Sequence, residues 1–291
     1  MGLLIDIIMS GLINGSILAL LAIGFSLIFG VARIVNFAHT AFYMVAAYCI
    51  YVVTQLMGLH AVWGMIAAVL VVTLLGMITY RFLINPIREH EGAVLIATIA
   101  LAMILQEVMS LFFTGTYLSV PALIEGYAVI LSVKVFYQQI LSFGAALAIL
   151  AALYLFLMKT KVGLAIRSTA QDREVANLMG INEARVAMLT MGLSVGLAGF
   201  AGAVVVPLTV LEPGMWTSPL IIMMAVVVLG GLGSLKGSFI GAYILGFTEA
   251  LVVFLAPMGA FLKGPIALCI MILVLLMRPE GLFGVSFEEE R

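Results

Sequence analysis

Apolar runs separated by short polar, glycine- or proline-bearing breaks organise this chain from end to end. They cover roughly 7–31, 38–56, 62–80, 93–113, 138–158, 186–211, 219–232, 239–256 and 264–277. A helix needs about 20 mostly apolar residues to cross a bilayer core. The runs at 219–232 and 264–277 fall short of that and are expected to be tilted, re-entrant or joined to a neighbour. The pattern predicts an all-α polytopic transmembrane helical bundle of eight or nine membrane segments, some broken or re-entrant.

Composition supports lipid as the solvent. Hydrophobic residues make up 65% and charged residues 9% of the 291, against about 45–50% and about 25% in soluble domains. One soluble globule of this length cannot hide so much apolar surface. The net charge of −1 offers no basic field for nucleic acid. Cys49 and Cys269 stand inside apolar runs and read as small hydrophobes. Met1–Ile8 holds no Lys or Arg, so no cleaved leader is expected and the first span would start insertion.

The charges orient the spans. Arg81, Arg88, Lys159, Lys161, Arg167, Arg173, Arg185, Lys236, Arg278 and Arg291 fall on one side, and only Lys134 and Lys263 on the other, with Arg33 set aside. The positive-inside rule then predicts a cytoplasmic 159–185 loop and C-terminus, and an outward 114–137 loop. An odd number of spans would put the N-terminus outside and an even number inside.

Small residues recur at helical spacing. Gly11, Gly15 and Ala19 form one ridge, Gly192, Gly196, Gly199 and Gly202 a second, and Gly233, Gly237 and Gly241 a third. In lipid, such ridges let helix backbones approach closely, so these are candidate packing residues. The simpler reading is that glycine is common in membrane helices.

Residues 159–185 are too polar to span. Asp172 suits a helix N-cap, Val175, Ala176, Leu178 and Met179 share a short apolar face, and Gly180 suits the left-handed residue after a helix. A helix of about two turns across the membrane face is expected. Being so short, it needs something to dock on: its own bundle, or a groove in a cytoplasmic partner.

At this point the sequence resembles a known family. Glu174-Val175-Ala176-Asn177-Leu178-Met179-Gly180 is similar to the coupling loop of ABC importer permeases, with Val175 in place of an alanine and without the hydrophobic-Pro end of the longer motif. Gly24-Phe25-Ser26-Leu27-Ile28-Phe29-Gly30-Val31, then Asn36-Phe37-Ala38-His39, resembles the N-terminal signature of branched-chain amino acid permeases of the LivH type. Gly230-Gly231-Leu232-Gly233-Ser234-Leu235-Lys236-Gly237 and Arg278-Pro279-Glu280-Gly281-Leu282-Phe283-Gly284 resemble its C-terminal signatures.

The resemblance spans nearly the whole chain. It implies one transmembrane permease domain over 1–291 in a bacterial or archaeal inner membrane, coupled to ATPases through Asp172, Glu174, Ala176, Leu178, Met179 and Gly180. It also implies a second, LivM-type permease, two ATPases of the LivG and LivF types, and a periplasmic amino-acid-binding protein. Branched-chain amino acids are the implied cargo, although related permeases carry urea or short amides.

Polar residues inside apolar runs mark candidate pathways. Arg33–Thr40 reads either as a cytoplasmic turn or as a helix break at membrane depth, with Asn36 and His39 as candidate pathway residues; His39 also reads as a satisfied packing residue. Glu212-Pro213-Gly214-Met215-Trp216-Thr217-Ser218-Pro219 cannot be a continuous helix; it is an ordinary loop or an outer docking or entry site that includes Trp216. Glu107, beside Gln106, and Glu249 line a cavity or satisfy each other across helices.

The chain lacks the G-x-x-x-x-G-K-[ST] phosphate loop, its three histidines are scattered, and no catalytic constellation is present. No cofactor or metal site is expected, and the chain reads as a transport subunit, not an enzyme. The competing reading is a stand-alone ion-coupled secondary transporter using Glu107 and Glu249.

Overall fold

The computed structural model describes residues 2–130 and 133–284; Arg291, counted above with the basic tail, lies outside them. Among the described residues there are eleven α-helices: α1 (Gly2–Ala32), α2 (His39–Tyr51), α3 (Ala61–Thr79), α4 (Glu91–Phe113), α5 (Tyr137–Lys159), α6 (Lys161–Gln171), α7 (Arg173–Leu178), α8 (Glu183–Val205), α9 (Thr217–Gly230), α10 (Leu235–Leu255) and α11 (Gly259–Met277). A two-stranded antiparallel hairpin, β1 (Tyr127–Ile130) and β2 (Val133–Phe136), pairs Tyr127 with Phe136 between α4 and α5. Among the described residues, seven helical segments are long and apolar enough to cross a membrane, and α9 is a shorter apolar helix. This is a multi-pass membrane protein.

Each expected apolar run is helical, with corrections at the ends. The run at 264–277 extends back to Gly259 and accommodates Pro265 within the helix, so α11 is long enough to span. α3 continues through wider and tighter turns to Ile87. α2 continues as a π-turn over Val52–Leu56. The hairpin and α6 were not expected.

α1 and α8 form the buried centre, and α3, α4, α5 and α11 leave most of their surface apolar and exposed, as lipid or a membrane partner requires. α1 ends where α8 begins, because Arg173 and Glu183 meet beside Val31, so the two run in opposite directions. Around them the packing repeats. α1 packs on α10 as α8 packs on α3; α2 packs on α8 as α9 packs on α1; α2 lies beside α3 as α9 lies beside α10. A long central helix, an interruption and a short helix therefore occur twice in inverted orientation, the arrangement of many transporters.

Glycines set the crossings. A Cβ on Gly246 would lie 2.5 Å from Gly15 N and 2.6 Å from Gly15 Cα, so α10 and α1 touch backbone to backbone. On α8, a Cβ on Gly192 would meet Met77 Cγ at 2.9 Å and one on Gly196 would meet Thr73 Oγ1 at 2.8 Å, both on α3. A Cβ on Gly237 would collide with the Gly230 carbonyl, one on Gly241 would lie 2.8 Å from Val226 O, and Gly233 faces Gly30.

Candidate functional site

Two features at one end of the bundle stand out: an interrupted helix that returns into the membrane, and a polar platform that carries α7.

The interruption follows α1. Arg33 adopts a left-handed backbone (φ 53) and breaks the helix. Residues 33–38 then lead to α2, whose first residue, His39, bonds through Nε2 to Leu21 O at 3.1 Å. Leu21 lies about three helical turns, roughly 16 Å, before the end of α1. The chain therefore re-enters the apolar layer and starts α2 at mid-depth; Arg33–Thr40 is a helix break, not a surface turn. Backbone groups in such a segment must find partners. Phe37 N donates to Thr98 Oγ1 of α4 at 3.3 Å, and Ala38 N donates to Asn36 Oδ1 at 3.1 Å. Asn36 is fully buried, with Nδ2 3.7 Å from Met191 Sδ. His39 is fully buried, its Nδ1 3.3 Å from Ser194 Oγ. Both ring nitrogens have partners, which makes His39 a joint between α1, α2 and α8.

The second-half counterpart lies at the opposite end. Leu118 and Leu211 pair as an isolated antiparallel bridge, and the Trp216 indole N–H donates to Gln106 Oε1 of α4 at 2.7 Å. Trp216 is buried, and it ties the 209–216 loop to α4 ahead of α9. Glu107, next to Gln106, points outward from α4 and is exposed, whereas Glu249 is buried on α10 and feels the charge of Lys263 on α11. Glu107 and Glu249 therefore do not satisfy each other across helices: one is exposed on α4, and the other is buried on α10 with an oxygen that has no hydrogen-bond partner among the described residues.

The polar platform begins with α6. Thr160 caps it by accepting from Gly163 N at 2.9 Å, and Gly163, Ile166 and Thr169 face the bundle. Arg167 Nε donates to Leu157 O at 3.0 Å, which holds α6 against the end of α5. Asp172 then caps α7 by accepting from Val175 N at 3.0 Å. Gly180 (φ 84) closes it: Gly180 N bonds Asn177 O and Ile181 N bonds Ala176 O, each at 3.0 Å. Ala176 is buried at 3%, while Leu178 and Met179 are 86% and 79% exposed. The apolar residues at the tip of α7 thus have no cover from the described residues of their own bundle.

Arg173 ties this helix to the transmembrane part. Its Nε donates to Val31 O at 3.0 Å, one of the last carbonyls of α1, and its Nη1 is 3.5 Å from Glu183 Oε1. The same Glu183 oxygen accepts from Arg88 at 3.3 Å. Burial depresses the Arg173 pKa; Glu183 opposes that, and Arg33 and Arg88 add to it. One carboxylate therefore joins the α3–α4 connection, α7 and α8 beside the mouth of the re-entrant segment. Arg173 and Glu183 stood in the sequence without a sign of this role, because Val31, which Arg173 meets, and Arg88, which Glu183 meets, are distant in the chain.

Comparison with known proteins finds relatives among transport permeases. Residues 7–276 match the family described as branched-chain amino acid transport system, permease component. The chain is 32% identical to the high-affinity branched-chain amino acid transport system permease protein BraD of Pseudomonas aeruginosa, over 95% of this chain and 94% of that protein. It is 30% identical to the corresponding permease protein LivH of Escherichia coli K12, over 94% of each. A probable branched-chain amino acid transport permease protein LivH of Methanocaldococcus jannaschii is 29% identical over 97% of this chain and 93% of its own length. No solved structure matches the chain.

Proposed function

The chain belongs to the family of branched-chain amino acid transport permeases, and from that premise we propose that it is a membrane-spanning subunit of an ATP-driven importer of branched-chain amino acids. Its 1–291 chain forms one permease domain. It works beside a second, LivM-type permease in a bacterial inner membrane, receives cargo from a periplasmic binding protein, and is driven by two ATPases of the LivG and LivF types docked at the 159–185 loop.

The observation that carries this reading is α7. A six-residue helix is too short to persist alone. Here it is capped at both ends, anchored by Ala176, and presents Leu178 and Met179 outward from the basic end of the molecule. That is the form of a helix that enters a groove in a partner. Arg173 supplies the mechanical link. Movement of α7 acts on the Val31 carbonyl and on Glu183, hence on the end of α1, the start of α8 and the re-entrant segment between α1 and α2. Transport then follows from re-tilting the two inverted halves around their crossings.

The test is co-purification of the ATPases with Leu178→Asp/Met179→Asp, and with 172–180 replaced by a Gly/Ser linker. Both are expected to lose the ATPases while the permease remains in the membrane, since Leu178 and Met179 are exposed among the described residues. ATPases retained by both variants would show that the motor docks elsewhere.

A further inference from the structure

A cavity of about 500 Å³ opens beside the re-entrant segment, between the end of α1 and the start of α4. Its wall is aliphatic and aromatic: Phe29, Ile34, Val35, Val94 and Leu95. Its remaining lining is charged, with the cations Arg33 and Arg88 and the carboxylate Glu91. Arg88 is held in place by Glu183 at 3.3 Å. Glu91 is the first residue of α4, whose first turn has no side-chain cap, so the positive end of that helix also faces the region.

We propose that this cavity is a binding site for a zwitterionic α-amino acid with a branched aliphatic side chain, occupied as cargo leaves on the cytoplasmic side; the proposal rests on the importer reading above. The chemistry is specific. A carboxylate needs a guanidinium or a helix N-terminus, and Arg33, Arg88 and the start of α4 supply both. An ammonium needs an anion, and Glu91 is the carboxylate of this lining. A branched hydrocarbon needs an aliphatic wall, which Ile34, Val35, Val94 and Leu95 form. A purely anionic ligand would gain nothing from Glu91, and a purely apolar one would leave three charges beside it. The volume falls within the range of small-ligand pockets, roughly 300–1,000 Å³. The location also fits release: Ile34 and Val35 belong to the segment that reaches mid-depth, and Arg88 shares Glu183 with Arg173 on the motor-facing platform.

The experiment uses the assembled transporter, this chain with its partner permease and ATPases, in phosphatidylcholine nanodiscs without binding protein. Equilibrium binding of tritiated leucine is measured against leucine, 4-methylpentanoate (no ammonium) and 3-methylbutylamine (no carboxylate) as competitors. Leucine should bind, and each truncated analogue should compete at least about tenfold more weakly, the worth of one lost charge-assisted hydrogen bond. Glu91→Gln should weaken leucine binding about tenfold with little effect on competition by 4-methylpentanoate. Leu95→Trp should abolish binding by filling the cavity. Glu89→Gln, which removes a charge from the same connection outside the cavity, should bind like the unaltered protein.

Binding unchanged in both Glu91→Gln and Leu95→Trp overturns the exit site. If the same preparation, given its binding protein, still imports leucine, the importer reading survives. No binding by a transporter that imports leucine also overturns the site. No import of any branched-chain amino acid removes both. Leucine displaced by added phosphatidylethanolamine, with Glu91→Gln abolishing the displacement, would assign the cavity to a lipid headgroup and overturn the proposal.

Discussion

Glu183 holds two arginines with one oxygen, at 3.3 Å and 3.5 Å, and the three side chains are only partly exposed, 18% for Glu183 and 34% for each arginine. Removing Arg88 breaks one pair and leaves the other, a loss of about 1 kcal/mol for a partly exposed bridge. Removing Glu183 breaks both and leaves Arg88 and Arg173 facing each other, so Glu183→Ala should cost about 2 kcal/mol. Thermal unfolding in detergent at low salt should rank Glu183→Ala below Arg88→Ala; the reverse order would mean that the carboxylate is not the hub. Some of this scale was legible in the sequence. Asp172 and Gly180 announce themselves because their chemistry is local: a cap accepts from an amide three residues on, and a positive φ favours glycine wherever it occurs. Arg173 does not, because its partner Val31 O is a backbone atom far away in the chain. His39 could be named but not assigned, since only the fold brings Leu21 O and Ser194 to its two nitrogens.

Between elements, the crossing of α1 and α10 depends on the absence of side chains. A methyl group at Gly246 would press on the backbone of Gly15, which cannot rotate away, whereas at Gly144 on α5 it would meet none of the described residues within 4 Å. Gly246→Ala should therefore lower the apparent Tm through overpacking of about 1–3 kcal/mol or more. Gly144→Ala should leave it unchanged or slightly raised, given alanine's better helix propensity. Equal Tm values for the two variants would mean that the crossing is loose. Apolar length and glycine spacing made the spans readable, because lipid imposes both on a single helix at a time. α6 carries no apolar signature in the sequence, because only Ile166 among its inward residues is strongly apolar. The hairpin carries none either, because its pairing depends on register, not composition. The inverted repeat is a relation between contacts: α1 with α10 and α8 with α3 share an architecture without sharing residues.

For the molecule as a whole, the two ends carry very different charge. Arg33, Arg88, Arg167, Arg173 and the Gly233–Ser234 and Pro279–Glu280 turns beside Lys236 and Arg278 gather at one end. Arg33, which the spacing of the spans could not place, belongs there too. Lys134 lies on the hairpin at the opposite end. By the positive-inside rule we propose that the platform is cytoplasmic. α1 has 31 residues, about 46 Å of helix, enough to cross the roughly 30 Å core and carry Gly2 to the far side. That puts the N-terminus at the end of the bundle opposite the platform, because α1 is a complete crossing and the break at 33–38 is a return; with the platform inside, we propose that the N-terminus is outside. With Cys49 and Cys269 replaced by alanine, a membrane-impermeant maleimide applied to intact spheroplasts should label Thr116→Cys and Gly2→Cys. Gln171→Cys should react only after the membrane is opened. Labelling of Gln171→Cys from outside would invert the molecule. It would also remove both the motor docking at α7 and the cytoplasmic exit beside Glu91, since each requires this end to face the ATP-containing side.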